Sequence, residues 1–138
     1  MANIPFHTKA RHQFINATHY SIDGFRYLVK SELAARLELY LFFWGSLILF
    51  ALGAPLRVFL ITTILFLLLI AVEALNTAIE VIIDKISPDI SETGKRAKDL
   101  GSFSVMCLLI VNGIYFINVF IQTPRMGDLF SFLIKHFA

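Results

Sequence analysis

The chain of 138 residues is 57% hydrophobic and 16% charged, with 14 phenylalanines and a formal net charge of +2. A soluble domain is nearer half apolar with about a quarter of its residues charged, so this composition excludes one and points to an integral membrane protein. The small net charge argues against a nucleic-acid partner, and a lone cysteine, Cys107 in an apolar run, excludes a disulfide framework and a cysteine metal site.

Residues 1–36 are read as an amphipathic surface helix and its junction with the first span. Phe14, Ile15, Tyr20, Ile22, Phe25, Leu28 and Val29 recur at helical spacing among Lys9, Arg11, His12, His19, Asp23, Arg26 and Lys30. A basic, aromatic, amphipathic stretch just before a span predicts a helix lying on the membrane surface, although Gly24 weakens its continuity. With no apolar h-region among these charges no signal peptide is read, and the first span is expected to stay in the mature chain.

Span one is placed over 37–56, where LYLFFWGSLILFALGAPL carries no charge from Leu39 to Leu56. Gly53 and Pro55 make a very short turn, and span two follows over 57–84. Residues 85–99 read as a polar loop, with a turn at Ser87-Pro88-Asp89 and a further break at Gly94. Span three covers 100–123. Residues 124–138 read as an interfacial tail with Phe130, Leu133, Ile134 and Phe137 on one face. The prediction is an all-α membrane protein with an N-terminal surface helix and three transmembrane helices.

Basic residues set the orientation. Lys9, Arg11, Arg26, Lys30 and Arg36 precede span one, and Lys85, Lys95, Arg96 and Lys98 lie between spans two and three. The positive-inside rule therefore puts the N-terminus and the second loop in the cytoplasm and the C-terminus outside.

Span two holds the most informative pattern. Glu73, Asn76, Glu80 and Asp84 fall within roughly 80° of one another around a helix. Ionisable groups at membrane depth are costly and normally face a protein interior or a watered cavity at a functional site. Glu32, Glu38, Lys98 and Asp99 are expected near the same interface. Carboxylates from different helices suit Mg²⁺ completed by substrate phosphates, and a further carboxylate can act as general base. Those parts make a phosphoryl-transfer site, although no Walker A or kinase Gly-rich loop is present. A proton or ion pathway in a transporter or channel subunit, and simple interhelical hydrogen bonding, fit the same pattern.

The motif E-A-L-N-T-A-I-E-x-x-I-D-K-I from Glu73 to Ile86, with G-K-R-A-K-D-L-G-S from Gly94 to Ser102, resembles the bacterial integral-membrane diacylglycerol kinase family. A-T-H-Y-S-I-D-G-F-R from Ala17 to Arg26 and S-E-L-A-A-R-L-E from Ser31 to Glu38 are similar to that family's surface helix and junction. The resemblance covers residues 11–123. It implies a homotrimer of the bacterial inner membrane with shared sites, using MgATP to phosphorylate diacylglycerol. Undecaprenol kinase, of the same fold, is the alternative.

By position, the resemblance implies that Glu73 is the base on the lipid hydroxyl, with Asn76 beside it, and that Glu32 and Glu80 hold the metal. It implies nucleotide contacts from Tyr20, Glu32, Glu80, Asp89, Glu92, Lys98 and Asp99. The lipid end would be lined by Ala17, Thr18, Arg26, Arg36, Glu38, Glu73 and Ser102. The chain departs from the family pattern in places. Gln13 stands near a usual arginine, with Arg11 or His12 as the candidate substitutes. Asp89-Ile90-Ser91-Glu92 lacks a usual histidine, and Ala35-Arg36-Leu37-Glu38 replaces Phe-Arg-Gln-Glu. Asp84 is expected to pair with Lys85 or Lys98 at the interface.

Overall fold

Inside lipid the backbone has no water to bond, so each apolar run must satisfy its own N–H and C=O groups as a helix. The computed structural model describes residues 6–87 and 91–122, with side chains from His12 onward. It contains α1 (Phe6–Ser31), α2 (Leu33–Ala51), α3 (Leu56–Ile86) and α4 (Glu92–Gln122), and no strand among the described residues. Helices α2, α3 and α4 are each long and apolar enough to cross a membrane. The all-α architecture with an N-terminal helix and three candidate spans is as expected.

Helix length decides what lies at the interface. With 19 residues α2 is about 28 Å long, close to the ~30 Å hydrocarbon core, whereas α3 and α4, with 31 residues each, reach about 46 Å. The surplus turns of α3 and α4 must project beyond the hydrocarbon, and the polar residues of both helices gather at the shared end.

Local chemistry explains the boundaries. Gly53 has φ 75° and closes α2 in a Schellman turn, its N–H donating to the Phe50 carbonyl (2.9 Å) and that of Ala54 to the Leu49 carbonyl (3.0 Å). Pro55 then precedes the first turn of α3. The segment expected as a loop over 85–99 is shorter in the structure: α3 continues through Ile86 and α4 begins at Glu92. Ser91 caps α4, its Oγ accepting from the Gly94 N–H at 3.0 Å, and Glu92 pairs with Arg96 one turn on. Gly94 is thus inside the first turn of a helix instead of breaking one. Gly24 likewise lies within a continuous α1, because a glycine in an exposed helix costs only about 1 kcal/mol. The Pro88-Asp89 part of the predicted turn and the tail 124–138 lie outside the described residues.

Helix α3 is the centre of the bundle, packing most closely on α4 and also touching α1 and α2. Phe42 of α2 stacks on Phe66 of α3 with ring centroids 4.1 Å apart. Gly45 makes room for the Phe116 ring of α4. Across the α3–α4 seam, Asn112 Nδ2 donates to the Leu65 carbonyl (3.3 Å) and the Tyr115 hydroxyl to the Val58 carbonyl (3.4 Å). Helix α1 is exposed from His12 to Tyr27 and joins the bundle at Leu28, which is buried, as is Ala35 at the start of α2. Cys107 is exposed on α4.

Candidate active site

The predicted stripe keeps its face on α3, and the face is most deeply buried at its first residue. Glu73 is buried, 4% exposed; Asn76 and Glu80, one and two turns on, are half-buried; Asp84 is exposed. Asn76 Nδ2 donates to Glu80 Oε1 at 3.1 Å, an i, i+4 bond that orients the Glu80 carboxylate. Asp84 pairs with Lys98 of α4, one of its two expected partners.

Other helices bring further carboxylates to this place. Glu32 stands between α1 and α2 with extended backbone (φ −101°, ψ 122°) and makes no capping hydrogen bond, so its side chain is available to the site. Both Glu32 and Glu80 lie within Coulombic range of Glu73, and Glu73 within range of Glu38. Lys98 lies in turn within range of Glu80. One chain therefore assembles four carboxylates and an ammonium from the α1–α2 junction, α2, α3 and α4.

Buried polar atoms without partners mark the same spot. Among the described residues these are both oxygens of Glu38, Asn76 Oδ1 and Thr77 Oγ1. Buried polar groups are nearly always hydrogen-bonded, so unsatisfied ones ask for a ligand or a second chain. The donor set also bears on a metal. Among the described residues no three potential ligands converge into a cage. Mg²⁺ does not require one: it keeps waters, takes one or two carboxylates and completes its shell with phosphate oxygens. Glu32 and Glu80 are carboxylates of the kind such an ion takes, each within Coulombic range of Glu73.

The remaining predicted residues fall into groups. Ala17, Thr18, Tyr20 and Arg26 lie on the exposed part of α1, where Thr18 Oγ1 donates to the Phe14 carbonyl (2.9 Å) and Arg26 pairs with Asp23 (3.2 Å). Arg36 has a more structural setting. Its Nη1 donates to the carbonyls of Val29 (3.0 Å) and Lys30 (3.1 Å), tying α2 to the C-terminal end of α1. Glu92, Asp99 and Ser102 are exposed on α4; Asp89 lies outside the described residues.

Two contributors escaped the sequence reading. Thr77 is buried one turn from Glu73, and its i, i+4 spacing was the available signal. Gly101, inside the quoted A-K-D-L-G-S motif, lies directly against Asn76. Below the carboxylates, an apolar groove of about 410 Å³ runs between α2, α3 and α4 from Glu38 past Phe42 and Phe66 to Asn112.

Comparison with known proteins identifies the family. Residues 19–120 match the model of the family described as prokaryotic diacylglycerol kinase. The chain is 47% identical over 108 residues to a diacylglycerol kinase of Sinorhizobium sp., covering 78% of this chain and 77% of that protein. It is 37% identical over 100 residues to the diacylglycerol kinase of Haemophilus influenzae, covering 72% of this chain and 85% of that one. The Escherichia coli K12 diacylglycerol kinase is 36% identical over 107 residues, with 72% and 81% covered. The matched stretch contains α2, α3, nearly all of α4 and every carboxylate of the cluster; the chain belongs to the prokaryotic diacylglycerol kinase family.

Proposed function

We propose that this chain is a lipid kinase that transfers the γ-phosphoryl group of MgATP to the hydroxyl of diacylglycerol, releasing phosphatidic acid and ADP. The observation that carries the reading is the buried Glu73 with Glu32, Glu38 and Glu80 close enough to interact, toward the end that α3 shares with the start of α4. A lipid hydroxyl and a water-soluble nucleotide can meet there.

In this mechanism Glu73 accepts the proton of the lipid hydroxyl as its oxygen bonds to the γ-phosphorus. The bond from that phosphorus to the β–γ bridging oxygen breaks, and ADP leaves with the electron pair. Glu80 and Glu32 would hold Mg²⁺, which when bound neutralises charge on the β- and γ-phosphates. Asn76 keeps Glu80 oriented through its amide N–H. Lys98 and Asp99 contact the nucleotide, with Tyr20, Asp89 and Glu92 around its outer parts. Ala17, Thr18, Arg26, Arg36, Glu38 and Ser102 form the lipid end, above a groove apolar enough to suit a hydrocarbon chain.

The reading includes a homotrimer of the bacterial inner membrane with sites shared between protomers, N-terminus cytoplasmic and C-terminus periplasmic. The basic residues flanking the spans support that orientation. The residue plan keeps 1–36, 37–56, 57–84, 100–123 and 124–138, with the polar stretch 85–99 now divided between the end of α3 and the start of α4.

Purified protein supplied with MgATP and either diacylglycerol or undecaprenol tests the substrate. Phosphatidic acid is expected as the main product, and preference for the polyprenol would overturn the choice of lipid. Glu73→Gln and Glu80→Gln should each lower turnover by about 10²-fold or more while assembly persists. Full activity in both variants would refute the site.

A further inference from the structure

Where α4 crosses α3, the close contact is between a glycine and the site asparagine. A β-carbon placed on Gly101 would have three nearest neighbours, all from Asn76: it would overlap Oδ1 and lie 3.2 Å from Cγ and 3.7 Å from Cβ. Gly101 is itself buried. The bare backbone of α4 thus forms a seat against which the Asn76 amide rests.

The seat and Glu80 together select one orientation of that amide. Nδ2 points to Glu80 Oε1 at 3.1 Å, while Oδ1 is buried against α4 without a hydrogen-bond partner. Turning the amide over would bring Oδ1 onto an acidic oxygen and remove the only donor Asn76 offers to Glu80. A methyl group at position 101 would displace Oδ1 or push the helices apart. Either movement breaks the geometry that orients Glu80. Gly101 also follows Lys98 by three residues and Asp99 by two on α4, so the same contact helps set their height relative to Glu80 on α3.

We propose that Gly101 is a positioning residue of the phosphoryl-transfer site: its missing side chain lets α4 seat Asn76 with its amide nitrogen toward Glu80, and so holds Glu80 ready for the metal. The inference rests on the reading of Glu80 as a metal ligand. Groups that orient a metal ligand typically matter 10–100-fold in metal affinity or activity.

The experiment uses the full chain in detergent or bilayers, with Gly101→Ala, Asn76→Ala, the double variant and Glu80→Gln. Gly101→Ala is expected to lower turnover about tenfold or more and to raise the Mg²⁺ concentration for half-maximal turnover several-fold, with the KM for lipid little changed. Thermal unfolding gives a second readout that needs no catalysis. Gly101→Ala should lower the midpoint in the wild-type background and leave it nearly unchanged in the Asn76→Ala background, where the space has been vacated. If Gly101→Ala alone does not fold, recovery in the double variant supports the seat, and failure there overturns it. Equal destabilisation in both backgrounds also overturns the seat. Coupled stability with an unaltered Mg²⁺ profile overturns its positioning role. Failure of the site reading is separately visible, because Glu80→Gln would then leave the Mg²⁺ profile unchanged.

Discussion

Replacing Glu38 should make the protein more stable and less active at once. Its side chain is 5% exposed, neither oxygen has a hydrogen-bond partner, and Glu73 stands within Coulombic range. A buried, unsatisfied polar group costs about 1–3 kcal/mol, more when charged. Glu38→Met keeps a similar length, removes both oxygens and ends the repulsion, so a gain of about 1–3 kcal/mol is expected. Glu38→Gln removes the charge but leaves polar atoms to satisfy, so its gain should be smaller. If Glu38 meets the lipid headgroup, turnover falls in both variants, the usual exchange of stability against function at a site. Denaturant unfolding in micelles gives the first quantity and a coupled ADP-release assay the second. A Glu38→Met protein that is less stable than wild type would refute the reasoning, since Glu38 would then have a stabilising partner.

Three further substitutions probe the frame around the site. Arg36→Gln should destabilise the protein by about 1–2 kcal/mol and speed amide exchange at the end of α1, because it removes a charged donor from two carbonyls there. Unchanged exchange at Val29 to Ser31 would count against it. Asn112→Leu breaks the bond across the α3–α4 seam and should cost about 0.6 kcal/mol, at most about 1.7, in denaturant unfolding. An unchanged unfolding midpoint would show that the bond adds nothing to the seam. Asp84→Asn removes an ion pair whose acid is 65% exposed, so the loss of stability should be small and vanish in high salt. A salt-independent loss would mean the pair is shielded.

The spans were legible because lipid imposes one rule on them: long uncharged runs must be helices, and the structure follows that rule in α2, α3 and α4. The short turn was legible for a comparable reason, since few residues besides Gly53 accept a positive φ at little cost. The start of α4 was missed because Gly94 was weighed as a breaker without the serine three residues earlier, whose hydroxyl caps the helix. In the site, the stripe on α3 followed from helical periodicity. Arg36 bonding back to α1 did not, because charge alone cannot tell a ligand contact from a backbone tie. Gly101 was equally hidden: a glycine shows what it permits only when the residue facing it is known.

The unsatisfied atoms carry one more step of inference. Glu38, Asn76 and Thr77 come from two different helices, yet all lie around Glu73. A bundle selected for stability alone would have replaced them with apolar residues, since a membrane interior penalises unpaired polar groups by several kcal/mol each. Elsewhere in the same chain such groups are paired: Asn112 reaches the Leu65 carbonyl, Tyr115 the Val58 carbonyl, and Thr62 bonds back to Val58 at 2.9 Å. The fold therefore satisfies its polar side chains where they serve as helix glue and leaves them open at one level only among the described residues. That contrast marks this level of the bundle as the place where a substrate group or a second chain would complete the missing partners.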